Sequence, residues 1–267
     1  MSLLEGRSAV VTGGGRGFGR AIAQELARLG AHVVVASRNA PELDEVVLAI
    51  KRAGGRALAQ TADVSDERQV QELVLATERW VGPASILVNN ASVLEPMAPL
   101  VRTRAITWLR TLAINVGGTY LMTRSVLPGM LDRNYGRIVN ISSGSAERPS
   151  AGWTAYGASK AAVEQFTRAL AVELEGTGVT ASAFRPGLMD TPMQERIRRS
   201  SPEDFPRVAE FRDAQRAGRL RDPRDPARAV AYLASSRAES NGQVLEYGDA
   251  DLEVAMSEAL GKSVARS

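Results

Sequence analysis

Tyr156-Gly157-Ala158-Ser159-Lys160 sets a phenol and an ammonium at a spacing that, on a helix, stacks them one turn apart on the same face. A free tyrosine titrates near pKa ~10, and a cation within a few ångströms favours the phenolate, so such a pair can exchange protons at neutral pH. Lysine is scarce in this chain: Lys51, Lys160 and Lys262 are the three, and arginine supplies nearly all the positive charge. Thirteen residues before Tyr156, Ser143 ends the run Arg137-Ile-Val-Asn-Ile-Ser-Ser143, which reads as a buried strand followed by a loop. A hydroxyl there can meet the pair. Ser142 offers the same group one residue earlier; the spacing to Tyr156 favours Ser143.

A second constellation lies near the start. Thr12-Gly-Gly-Gly-Arg-Gly-Phe-Gly19 follows the apolar run Ser8-Ala-Val-Val11 and precedes a helical pattern from about 18 to 29. Glycines at 13, 17 and 19 allow a tight turn and close backbone approach, and the helix that follows points its free N–H groups at whatever sits there, which suits a pyrophosphate. A second strand at 31–36 completes the context that dinucleotide binding requires.

Thr12-Gly-x-x-x-Gly17-x-Gly19, Asn89-Asn90-Ala91, Asn115, Ser143, Tyr156-x-x-x-Lys160 and Pro186-Gly187 together resemble the classical short-chain dehydrogenase/reductase family, with 3-oxoacyl reductases as one subgroup, over about residues 5–249. The resemblance implies hydride transfer between a nicotinamide cofactor and a carbonyl or alcohol. It implies Tyr156 as general acid/base, Lys160 lowering its pKa and bonding the nicotinamide ribose, Ser143 holding the substrate oxygen, and Asn115 placing a water that links Lys160 to solvent. It assigns Gly13, Gly17, Phe18 and Gly19 to the cofactor's phosphates, Asp63 and Val64 to the adenine, and Asn90 and Ala91 to the ribose. Pro186, Gly187, Met189 and Thr191 then hold the nicotinamide amide. The chain departs from the family at Ser92, where glycine is usual, and at Glu246-Tyr-Gly-Asp-Ala250, which replaces an Asp-Gly-Gly ending.

Charge argues for NADP(H) over NAD(H). Binders of NAD place an acid at the end of the second strand for the ribose 2′-hydroxyl, whereas arginine there accommodates a 2′-phosphate. Ser37 occupies the acid's place, Arg38 follows it, and Arg16 lies in the glycine loop.

Strands are expected near 7–12, 31–36, 56–61, 85–88, 136–141, 178–184 and 243–246, and helices near 18–29, 41–53, 66–81, 101–130, 154–175 and 225–236. This alternation predicts an α/β fold: a single doubly wound Rossmann-type domain over 1–267, with a parallel sheet of about seven strands and helices on both faces. The charged, proline-bearing segment 188–224 is expected to cover the substrate, and a tail, 251–267, carries helical spacing at Leu252, Met256 and Leu260.

Absence of cysteine, and a single histidine at 32, argue against a metal site. A formal charge of +3 with acids and bases interspersed argues against nucleic acid. Met1 to Arg7 lacks the apolar core of a signal peptide and no run is long enough to span a bilayer, so a soluble cytoplasmic protein without membrane contact is expected. The family resemblance implies a homotetramer through 101–130 and 154–175. The substrate is expected to be a small carbonyl or alcohol; Arg148, Arg196, Arg198 and Arg199 are read as a solvated face, with an anionic acyl thioester as the alternative. An NAD-dependent alcohol, sugar or steroid dehydrogenase and a catalytically silent nucleotide-binding regulator are the competing functions.

Overall fold

The computed structural model describes residues 2–260. Seven strands, β1 Ser8–Thr12, β2 His32–Ser37, β3 Arg56–Thr61, β4 Ile86–Asn89, β5 Gly136–Ile141, β6 Val179–Arg185 and β7 Val244–Glu246, form one parallel sheet in the order β3-β2-β1-β4-β5-β6-β7. Between them run α1 Gly17–Arg28, α2 Ala40–Arg52, α3 Glu67–Val81, α4 Ala105–Leu112, α5 Gly118–Asp132, α6 Thr154–Glu173, α7 Pro192–Arg198, α8 Val208–Arg216 and α9 Arg224–Leu233, and α10 Ala250–Leu260 follows β7.

The inner strands β1, β2, β4 and β5 are Val- and Ile-bearing runs buried on both sides, as a sheet covered by helices demands, while the edge strands β3 and β7 are only partly buried. Alternate residues face opposite ways: Val33 and Val35 join one apolar cluster with Ile22 and Leu26 of α1, Leu43 of α2 and Val230 of α9. Val34 and Ala36 join the other, with Leu73 of α3, Val126 of α5 and Leu170 of α6. Burial of each valine, leucine or isoleucine among them contributes about 1.5–3 kcal/mol, so the two clusters hold the strand ends in fixed register. Helix starts are chemically marked: the Asn39 side chain accepts from Glu42 N at α2, and the Asp66 side chain from Gln69 N at α3. The chain reverses direction across the sheet between β1 and β4, and that switch point opens a crevice at the strands' carboxyl ends.

Two expectations change, and the helical spacing expected of the tail is met over its described part. The helix expected over 101–130 is broken into a 3-10 turn at Leu100–Arg102, then α4, a π-helical turn at Ala113–Gly117, and α5. The irregular segment 188–224 contains α7 and α8, and a parallel bridge joins Met189 to Arg221. The tail forms α10, with Leu252 and Met256 buried in the α9 cluster; residues 261–267 lie outside the described ones.

Candidate active site

The glycine loop is shaped by close approach. Gly13 and Gly17 adopt φ of 63° and 54°, and a Cβ on Gly19 would fall 2.2 Å from the Gly13 carbonyl oxygen. The β4 end is stitched to this loop: Thr12 Oγ accepts from the backbone N–H of Asn90 at 3.0 Å and Ala91 at 3.1 Å, while Asn90 Nδ2 donates to the Thr12 and Gly13 carbonyls. The Asn90 side chain is thus engaged in holding the loop. Asn89 Nδ2 donates to Thr123 Oγ and Asn140 Oδ1, continuing a buried polar ladder to Thr167 on α6.

From this loop a cleft of about 1360 Å³ runs past Ser37, Arg38, Asp63, Val64 and Ala91 to Tyr156 and on to Ile197. A typical small-ligand site is ~300–1,000 Å³, so the cleft has room for a dinucleotide and a second molecule. Together with the close-packed glycine cradle, this fits the nicotinamide dinucleotide expected from sequence. At the far end of the loop, Arg16 pairs with Glu42 at 3.5 Å and Arg38 with Asp63 at 3.7 Å, both arginine side chains remaining more than half exposed. Burial works to raise the Asp63 pKa, but hydrogen bonds from Ser65 and the Arg38 charge outweigh it and hold the carboxyl below its usual range. Glu42 was not singled out in the sequence; a Cβ on Gly15 would meet its Cβ at 3.1 Å and Ser37 Oγ at 3.2 Å.

At the other end the Ser143 hydroxyl, on the loop after β5, comes near enough to the Tyr156 phenol to act on its pKa. Tyr156 and Lys160 share the inner face of α6, and the Lys160 ammonium lies 5.6 Å from the Tyr156 ring centroid while donating to the Ile141 carbonyl at 2.8 Å. Burial pushes the phenol up to about 12, with the Ser143 hydroxyl pulling downward. It pushes Lys160 down to about 8 against the raising charge of Glu164. The lowering of Tyr156 expected from Lys160 is therefore overridden here by burial, because both side chains are almost wholly removed from water, at 6% and 3% exposure.

Asn115 sits in the π-helical turn, buried, with Oδ1 accepting from Val93 N at 2.9 Å and Nδ2 donating to Val93 O at 3.0 Å and Ser159 Oγ at 2.9 Å. It braces the cleft wall at Val93 against α6 and makes no side-chain hydrogen bond to Lys160. Widened helical turns of this kind frequently occur at functional sites. Pro186, Gly187 and Met189 line the cleft, and Thr191 caps α7 with its side chain about 3.6 Å from a Cβ built on Gly17, so the start of α7 packs against the glycine loop.

Sequence reasoning missed a buried ionic junction directly behind these groups. Glu164, one turn beyond Lys160 on α6, accepts from Ser142 Oγ at 2.6 Å and from Arg185 Nε and Nη2 at 2.7 Å. Arg185, the last residue of β6, also bonds Glu147 at 2.7 Å, and its pKa is raised, chiefly by the Glu164 hydrogen bonds. The junction ties the Ser142-Ser143 loop and the Pro186 turn to α6. Its signal was the i, i+4 position of Glu164 relative to Lys160, on the same helix face.

Among the described residues no cluster of histidine, cysteine, aspartate or glutamate suited to a metal is present, and no helix is long and apolar enough to cross a membrane. A model of the short chain dehydrogenase family matches residues 7–202. A short chain dehydrogenase of Pseudocercospora fijiensis is 39% identical over 192 residues, 71% of this chain and 62% of its own length. Among solved structures, a single-substitution variant of actinorhodin polyketide ketoreductase with NADPH superposes with a TM-score of 0.83 at 32% identity, covering 92% of this chain and 97% of its own. The 3-ketoacyl-(acyl-carrier-protein) reductase of Brucella melitensis, complexed with NADH, gives 0.81 at 34%, covering 91% and 97%.

Proposed function

The chain belongs to the short-chain dehydrogenase family, and from that membership and the geometry above we propose that it transfers hydride between NADP(H) and a ketone or secondary alcohol, with Tyr156 as general acid/base. As a member it is an oxidoreductase acting between CH–OH and C=O groups. The observation that carries the finer reading is the convergence of Ser143, Tyr156 and Lys160 in one buried corner of a cleft whose other end is the glycine loop.

Bound in that cleft, the nicotinamide supplies or accepts the hydride. Gly13, Gly17, Phe18, Gly19, Asn90 and Ala91 would hold its phosphates and ribose, Asp63 and Val64 its adenine, and Pro186, Gly187, Met189 and Thr191 its amide. A carbonyl oxygen accepts hydrogen bonds from Ser143 and Tyr156. Held at about 12, the phenol is protonated at neutral pH, the form an acid needs in reduction. Lys160, at about 8, titrates near working pH and restores the phenol's proton, with Asn115 positioning the water route to solvent. Tyr156→Phe tests this reading: NADPH binding should persist while carbonyl reduction is lost, and undiminished reduction would refute it.

NADP(H) preference rests on Arg16 and Arg38, exposed and adjacent to Ser37, as two guanidinium donors for a 2′-phosphate. Glu42, beside the same loop, favours the NAD-dependent reading, and kinetics with both cofactors decide between them. The whole of 1–267 would act as one domain, with 188–224 covering the substrate. Exposed apolar residues on α4, α5 and α6, namely Ile106, Leu109, Tyr120 and Val172, support a homotetramer joined through those helices, to be checked by light scattering, and a cytoplasmic location completes the proposal.

A further inference from the structure

The two arms of the cleft differ in charge. Along the nucleotide arm Arg16, Arg38 and Arg110 face two carboxylates, Glu42 and Asp63, and Arg110 acts electrostatically on Asp63, leaving an excess of positive charge. The substrate arm is lined by four arginines and four glutamates, and each arginine is paired. Arg148 meets Glu246 at 3.3 Å and Arg196 meets Glu95 at 2.5 Å. Arg207 meets Glu210 at 2.6 Å, and Arg199 pairs with Glu195.

An anion entering this arm therefore finds the arginine charges balanced one for one and no guanidinium without a carboxylate. A substrate carboxylate gains an arginine only by displacing an existing partner, and these exposed pairs and their replacements are worth similar small amounts. Inside the rim the wall is apolar: Leu94, Trp153, Ile197 and Phe211 are buried together, with Met193 against them. Trp153 and Phe211 meet edge-on at 5.6 Å and give this wall its aromatic character.

We infer that the substrate is an uncharged carbonyl compound with an apolar, ring-bearing body, and that carboxylates and phosphate-bearing thioesters are disfavoured. This deepens the hydride-transfer reading and rests on it. The matched ketones 4-methylacetophenone and 4-acetylbenzoate share a shape and differ in charge. Calorimetric titration of each, with and without saturating NADP+, reads binding where no reduction can occur. The neutral ketone should bind at least about tenfold more tightly. Glu95→Gln, which frees Arg196, should narrow that ratio severalfold. With NADPH, kcat/KM for the neutral ketone should stay flat between about 50 and 200 mM salt. Equal or tighter binding of the carboxylate, binding of neither ketone, or a ratio unmoved by Glu95→Gln overturns the inference. Preferential binding of the neutral ketone without turnover supports the pocket's preference while refuting the reaction, so the two failures are distinguishable.

Discussion

Replacing Glu164 by glutamine removes one charge from the buried junction while keeping its shape. The side chains of Arg185 and Glu164 are 8% and 4% exposed, so water relieves neither when its partner is lost. Removing one member of a buried pair costs about 3–5 kcal/mol, because the other charge stays behind uncompensated. Glu147 remains 2.7 Å from Arg185, and the glutamine oxygen still accepts from Ser142, which places Glu164→Gln near the lower bound, about 3 kcal/mol. At about 2–4 °C per kcal/mol for a chain of this size, Tm should fall by roughly 6–12 °C. A second readout follows from the helix. The Glu164 charge holds Lys160 up against the burial that lowers it to about 8, so its removal should carry Lys160 lower and shift the alkaline limb of reduction to lower pH. Thermal denaturation and a pH profile of kcat measure the two effects. A wild-type Tm would refute the junction as a buried charge pair, and a lowered Tm with an unmoved limb would refute the coupling of Glu164 to Lys160.

Tyr156→Phe should lower kcat by about 10²–10⁴-fold with an unchanged NADPH Kd, read by turnover and calorimetry; a smaller loss removes Tyr156 from proton transfer. Burial lowers Lys160 from 10.5 to about 8, so the unfolded chain binds more protons between those values and native stability rises with pH across that window. Tyr156, raised from 10.0 to about 12, works oppositely above 10.0. Relative to Lys160→Met, the wild type should therefore gain stability from about pH 8 to 10.5 in urea titrations, and a difference independent of pH would exclude a buried, titrating lysine. Arg16→Ala and Arg38→Ala should each weaken NADPH about tenfold and leave NADH nearly unchanged, while Ser37→Asp should invert the preference; equal losses for both cofactors would remove these groups from the 2′ end.

Chemistry that depends on neighbours in sequence was legible, and chemistry assembled across the fold was not. Val33-Val34-Val35 had to be a strand buried on two faces, and glycines at 13 and 19 had to serve close approach, because each conclusion needs only local sterics. Tyr156 and Lys160 were legible for the same reason, since helical spacing alone places them together. The π-helical turn at Asn115 was not, because one extra residue in a turn leaves the apolar periodicity of 101–130 almost untouched while rotating everything beyond it. Helices α7 and α8 were hidden by brevity and charge: Pro192–Arg198 presents too few turns to show a stripe, and its buried residues, Gln194 and Ile197, become an inner face only when Phe205 and Phe211 pack on Trp153. The same limit explains the pKa directions. Spacing says that an ammonium stands beside a phenol, but whether the charge or the loss of water governs the phenol depends on how deeply the sheet, α6 and the cover enclose it. Here enclosure wins, and it leaves a tyrosine that holds its proton more firmly beside a lysine that holds its own less firmly.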